Sequence, residues 1–372
     1  MIKIIRLILC FSILTIDCFW CREAYAQKSK TENDIEVLLK QVYEKRAKAM
    51  IHQNDHVLET DYLSDKTSMN ALYNEQRRIK YINAWANKRS IKLVDAESEI
   101  KIVRLKVMDE TANVSIVQSQ KLSYDYLNKI IPVQSFGIGT SHFLTMKKTE
   151  GKWKILREWY LDPLDEEPDK IAEAQNGFGT VVQNTRNISN GKRKRFNRQQ
   201  AVTYANKYAG TAWGAGNNRR YNPNYKDYTG RGGDCTNFAS QVVGDKMGGG
   251  LPMTNQWRYN KQSGGTEFWI RTDSFKNFLI NSGYGKQIIK GKFHQIVAPT
   301  KENPNGATAR LQPGDLIGYI IHGNDIDHFS IFVGYDENGY PLVNSHSTDR
   351  FRVPFDLGWD QNTKYLLIHI KD

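Results

Sequence analysis

The 372-residue chain is long enough for two domains of ordinary size. Beyond its first residues no stretch is long and apolar enough for a membrane helix, so we expect no stable membrane insertion. Its 52 Lys and Arg against 40 Asp and Glu leave a formal charge of +12, which favours anionic partners, with solubility alone as the competing reading.

The N-terminal end carries Lys3 and Arg6, an apolar run from Leu7 to Ile16, and Ala24-Tyr25-Ala26 before Gln27. This is the pattern of a secretory signal peptide over residues 1–26, cleaved after Ala26. The product is then secreted or associated with the cell wall. A lipoprotein anchor is the weaker reading, because Leu9, Asp17 and Trp20, none of them small, precede Cys10, Cys18 and Cys21. For a secreted chain the anionic partners are wall polymers or lipid head groups before nucleic acid, and nucleic acid is not expected. Cleavage removes three of the 4 cysteines and leaves Cys235 without a disulfide partner. Thiols outside the cell are usually paired or absent, so a lone one is a candidate nucleophile.

Residues 27–162 read as an accessory α+β domain. Ile35, Leu38, Leu39, Val42 and Tyr43 recur at helical spacing, and a second periodic stretch runs from Met69 to Trp85. Alternation then takes over in 99–107, 112–117, 141–146 and 153–159, with turns at Asp109-Glu110 and Glu150-Gly151. Helices followed by an antiparallel meander predict a cystatin-like α+β roll. Nothing in this half is expected to carry chemistry. Residues 163–196 read as a linker ending in the basic run Lys192 to Arg195, a solvated segment more readily than a polymer contact.

Residues 197–372 form the second domain. A helical face is expected at Ala201, Tyr204, Ala205 and Tyr208, an irregular loop over 210–233, a helix over 234–243, another over 274–279, and strands over 315–321, 328–335, 340–345 and 364–370. Asp336 to Gly339 makes a hairpin turn.

The chemistry centres on Cys235. Gly232-Gly233 permits a tight turn, Asp234 is a reasonable N-cap, and Cys235 falls in the first helical turn, where the macrodipole favours a thiolate. Free amides there, its own included, supply half of an oxyanion hole; Tyr225 and Tyr228 lie in the preceding loop near any second donor. The base must be a histidine from elsewhere, and His328 starts the apolar strand Phe329-Ser-Ile-Phe-Val333. Asn344 and His346, two apart on the next strand, share a face and could orient the imidazole; Asp327 points the other way. Trp257, Trp269 and Tyr259 could line a groove beside Asp234, although so many aromatic residues more often form core.

Gly-Gly-Asp-Cys-Thr-Asn-Phe-Ala-Ser-Gln (232–241), Gly-Gly-Gly-Leu-Pro-Met-Thr (248–254), Gln312-Pro-Gly-Asp-Leu316, Asp327-His-Phe-Ser-Ile331 and Asn344-Ser-His-Ser-Thr-Asp-Arg350 together resemble the bacterial putative amidase domain family. That family is similar to the CHAP and NlpC-type cell-wall cysteine peptidases, which are papain-like. The resemblance implies a papain-like α+β domain with an antiparallel sheet, Cys235 as nucleophile, His328 as base, and His346, or Asn344 in the manner of papain's Asn, as third residue. It further implies an amide of peptidoglycan or a wall peptide as substrate. No cofactor is implied. The loop 321–327 carries acidic side chains, but too few spaced oxygens for Ca²⁺, so no metal is expected. The competing readings are a non-enzymatic basic wall-binding protein and a transpeptidase with the same triad.

Overall fold

The computed structural model describes residues 29–173 and 195–372. The expected signal segment, with Cys10, Cys18 and Cys21, and the basic residues Lys192 to Lys194 lie outside them.

The first half opens with α1 (Lys30–His52), started by a reciprocal cap in which Glu32 N–H donates to Ser29 Oγ and Ser29 N–H to the Glu32 carboxylate. Ile35, Leu39, Val42, Tyr43, Ala47 and Met50 face inward. The second helix, α2 (Lys66–Lys88), is capped by Asp65. Strands β1 (Ile91–Met108), β2 (Thr111–Tyr126), β3 (Gln134–Thr149) and β4 (Lys152–Tyr160) form an antiparallel meander. Its turns fall where expected: Asp109, Glu150 and Gly151 take φ of 50°, 52° and 76°. The strands run longer than the alternating stretches because 118–120 and 136–140 are buried throughout and lose the alternation. Inside lies an ionic cluster in which Arg46 meets both oxygens of Glu158 (2.5 Å at the closer), and His142 Nδ1 bonds Glu158 at 2.8 Å.

The second half contains α3 (Arg198–Lys207), α4 (Cys235–Gly244), the two-residue strands β5 (Tyr259–Asn260) and β6 (Gly264–Gly265), α5 (Glu267–Ile270), α6 (Thr272–Asn281), β7 (Gly285–Lys292), α7 (Phe293–Val297), β8 (Leu316–Ile320), β9 (His328–Tyr335), β10 (Pro341–Ser345), β11 (Asp349–Pro354) and β12 (Lys364–Ile370). The content is mixed helix and antiparallel sheet throughout, an α+β protein.

The halves share one sheet, in the order β1-β2-β3-β11-β10-β9-β8-β12-β7. Long β3 makes this possible: residues 142–149 pair with β4, while 137–139 pair with β11. A Cβ at Gly137 or Gly139 would collide with the backbone of Trp213 or of Thr211 and Ala212, so glycine is required where this loop crosses the strand. Asp356 accepts from Trp85 Nε1 and from Arg89, and Asp336 from Tyr124 and Tyr126, tying the seam with buried hydrogen bonds.

Around β8 to β12 the sheet has two covered faces. On one, Phe329, Ile331 and Leu342 pack under α3, α4 and α6. On the other, Tyr319, Phe332, Val343 and Tyr365 pack against Phe293 and Phe355.

Candidate active site

The loop before α4 turns as the glycines allow, with φ of 99° at Gly232 and 109° at Gly233. Asp234 then departs from its expected role. Its side chain makes no helix cap. Oδ1 instead accepts from Tyr228 N–H and from Asn237 Nδ2, both at 2.9 Å, and Oδ2 pairs with His346 Nδ1 at 2.6 Å. Its own N–H donates to Ser347 Oγ at 2.5 Å. The side chain is 1% exposed, so the expected contact between Asp234 and substrate is corrected to an internal anchor.

With the carboxylate turned away, the first-turn amides of α4 remain uncapped. Cys235 sits there, 7% exposed, and is the free cysteine among the described residues. The amides of Phe329 and Thr236 face its sulfur, and its Sγ lies 3.8 Å from Thr236 Oγ1. Phe329 can offer its amide because β10, whose last strand residue is Ser345, no longer covers β9 at that point. Burial pushes the thiol above its ordinary pKa and the charge of Asp234 adds to this, outweighing the two amides and the Thr236 hydroxyl. The expected lowering by the helix N-terminus is therefore not met in the resting protein.

His328 is the residue before Phe329, so the strand start lies against the thiol. Alternation sends its ring to the face opposite α4, between Tyr319 (centroids 5.7 Å) and Trp359 (5.6 Å). Its Nε2 is buried without a hydrogen-bond partner. Burial first, then the charges of Arg350 and His346, push its pKa down to about 3. Thiol and imidazole are thus both neutral at rest, and no hydrogen bond joins them.

The expected orienting residues lie on the other face. His346 is stacked between Phe238 (3.7 Å, 9°) and Tyr221 (3.8 Å, 11°). Its Nδ1 is engaged by Asp234, and its Nε2 donates to the Tyr208 carbonyl at 2.6 Å. Burial opposes the charge, but Asp234, Asp349 and that carbonyl together hold its pKa above the ordinary value. Asn344 donates to Asn206 Oδ1 and accepts from Arg352 N–H, at 2.9 and 2.7 Å. Neither residue therefore bonds His328. The hairpin presenting His346 and Ser347 is itself strained: Thr348, β-branched, takes φ of 111°.

Trp257 and Trp269 are both 0% exposed and stack on each other at 5.0 Å beneath α4. Trp257 Nε1 bonds Ser240 Oγ and Trp269 Nε1 bonds Asn237 Oδ1. They are core, and the expectation that they line a groove is corrected. Tyr259 is half-buried, its hydroxyl accepting from Lys226 N–H. Tyr225 donates to Asp245 and Tyr228 Oη accepts from Gly265 N–H. Asp327 closes its own loop by accepting from Ile321 N–H and His322 N–H.

Two features escaped the sequence reading. The Phe329 amide beside the thiol is a backbone group that carries no residue signature. The second is a set of buried polar atoms around His328 outside regular hydrogen-bond geometry: Ser330 Oγ and Trp359 Nε1, which face the Tyr319 hydroxyl, and Tyr365 Oη and Arg350 Nε. The Arg350 guanidinium lies 5.3 Å over the Trp359 ring, which itself stacks on Tyr319 at 4.4 Å. His328 and Ser330, polar at alternate positions of an apolar strand, were the available signal.

No curated protein matches the chain. Among solved structures it is similar to the intermembrane space region of the chloroplast protein ARC6 (12% identity, 36% of this chain and 98% of that one, TM-score 0.24). It is similar also to a protein named as a putative scytalone dehydratase from Novosphingobium aromaticivorans (16%, 34% and 84%, 0.25), and to an NTF2-like protein from Cytophaga hutchinsonii (11%, 36% and 98%, 0.21). At these TM-scores none of them establishes a fold for this chain. Residues 195–368, the part that holds Cys235, His328 and the sheet between them, match the family described as "putative amidase domain".

Proposed function

We propose that the chain is a secreted cysteine amidase that hydrolyses an amide bond of peptidoglycan. The observation that carries this reading is Cys235 at an uncapped helix N-terminus, against the Phe329 amide next to His328, inside the segment that matches the amidase family. The proposal includes a papain-like arrangement of the second half and a cystatin-like roll for the first. It also keeps the signal peptide over residues 1–26.

Because both groups are neutral at rest, attack and proton transfer go together. Cys235 Sγ bonds to the carbonyl carbon while its proton passes to His328, whose imidazole must first turn from the face opposite α4 around the open start of β9. The Cys235 N–H and its neighbours in the first turn of α4 receive the oxyanion. Collapse breaks the C–N bond, with the imidazolium protonating the leaving amine. Water, deprotonated by His328, then hydrolyses the thioester and returns the thiol. His346 enters through Asp234, whose grip on Tyr228 and Asn237 sets the turn before Cys235. An amine in place of water as acceptor would make the same site a transpeptidase.

The raised thiol and the missing Cys235–His328 hydrogen bond favour a second reading, a non-enzymatic wall-binding protein. Mass spectrometry of peptidoglycan incubated with wild type and Cys235→Ala separates the two. We expect new amide-cleavage products with wild type and none with the variant. Equal products from both would sink the cysteine mechanism, and products from neither, with a Cys235 inert to a small thiol reagent, would favour the binding protein.

A further inference from the structure

The outer face of the β1–β4 sheet, turned away from α1 and α2, carries a surface that the amidase reading leaves unused. Cross-strand register places Arg104 on one rung with Phe143 and Trp159, Lys106 with Arg157 on the next, and Lys147 with Lys154 on the third. These three rungs hold no carboxylate. None of the five cations is in an ion pair among the described residues. Phe143 and Trp159 are 53% and 62% exposed, with ring centroids 5.9 Å apart and planes at 32°. Side chains of the first two rungs line a shallow depression of about 440 Å³.

A bare aromatic pair on a solvent face is costly unless something covers it, and five unpaired cations around it raise a positive potential. The charges span three strand spacings, about 14 Å, which is too broad for one small anion and suits a polymer with repeating acidic groups. The rings offer flat apolar area to the faces of sugar rings. The signal-peptide pattern over residues 1–26 puts the encounter outside the cytosol, which favours sugar polymers over nucleic acid. We propose that this face binds an acidic polysaccharide, independently of the Cys235 chemistry.

Affinity electrophoresis of the full chain tests this, with polygalacturonate, neutral dextran and a thymidine oligonucleotide as probes. We expect retardation by polygalacturonate, none by dextran, and weakening with salt. Replacing Arg104, Lys106 and Arg157 together by Ala should weaken binding about tenfold or more. Replacing all three by charged partners that keep the sign (Arg104→Lys, Lys106→Arg, Arg157→Lys) should preserve it, which separates lost charge from a damaged fold. Trp159→Ala should weaken the binding that survives at high salt, and Cys235→Ala should leave all of it intact. No binding to polygalacturonate, unchanged binding by the triple Ala variant, or tighter binding to the oligonucleotide would each overturn the proposal.

Discussion

Asp234 and His328 flank the same thiol, and both are buried, yet their surroundings are opposites. Asp234 sits in a saturated network: its two oxygens and its N–H are all bonded, and its partner His346 has both ring nitrogens engaged. His328 sits on the other face of the sheet with Nε2 unpartnered, beside Ser330, Trp359, Tyr365 and Arg350 atoms that lie outside regular hydrogen-bond geometry. A buried polar group is normally bonded. Where a whole set is not, stability has been given up locally, as functional sites often do. The saturated side thus anchors the turn, and the unsaturated side is where the proposed mechanism places its base.

Breaking the saturated side should have the largest effect on folding. Asp234→Ala takes from buried His346 the carboxylate that holds its pKa up and frees Tyr228 N–H and Asn237. Removing one member of a buried pair costs about 3–5 kcal/mol, and urea denaturation should show a loss of that order. A loss below about 1 kcal/mol would mean that the network is dispensable. The unsaturated side should respond the other way. His328→Gln should leave stability at neutral pH nearly unchanged while amidase turnover drops about 10²–10⁴-fold, the usual weight of a general acid–base group. Loss of stability without selective loss of turnover would move His328 into the scaffold.

The two histidines also predict opposite pH behaviour. His328 has a folded value near 3 against an ordinary 6.5. The unfolded chain then binds more protons across that window, so stability is full above pH 6.5 and declines as pH falls toward 3. The limiting slope is about 1.4 kcal/mol per pH unit. His346 is raised above 6.5, so its contribution is full below 6.5 and fades as pH rises through its folded value. Urea midpoints across pH for wild type, His328→Gln and His346→Gln should isolate each limb. A His328→Gln profile that still declines as steeply below 6.5 would show that carboxylates, not His328, set the acid limb.

The same contrast explains what the sequence could reveal. Helices α1, α2 and α4 were legible because apolar spacing is local, as were the hairpin turns at Asp109, Glu150 and Gly339; the cap expected at Asp234 was not, because its carboxylate turns to His346. Strands β7 and β11 were not read: Gly285 to Lys292 is a cationic edge strand, and Asp349 to Pro354 carries charges at Asp349, Arg350 and Arg352, so neither has the apolar signature. Cys235 and His328 were legible as residue types in order. The partners of His346 and Asn344 were not, since alternation fixes which residues share a face, but which face turns toward the thiol depends on where β10 ends. The burial of Trp257 and Trp269 follows from how closely α4 passes: a Cβ on Gly244 would strike the Trp257 ring.

The finest test of the contrast pairs two serines. Ser347 Oγ accepts from Asp234 N–H on the saturated side, whereas Ser330 Oγ on the unsaturated side faces the Tyr319 hydroxyl outside regular hydrogen-bond geometry. Ser347→Ala orphans a buried amide and should cost about 1–3 kcal/mol. Ser330→Ala removes a hydroxyl without a regular hydrogen bond, so its cost should lie near zero or turn slightly stabilising. Should Ser330→Ala cost as much as Ser347→Ala, its hydroxyl is bonded after all, and the site around His328 is as closed as the anchor across the sheet. Should it cost nothing while shifting the pH profile of turnover, Ser330 positions the imidazole, a role that neither Asn344 nor His346 can fill from the other face.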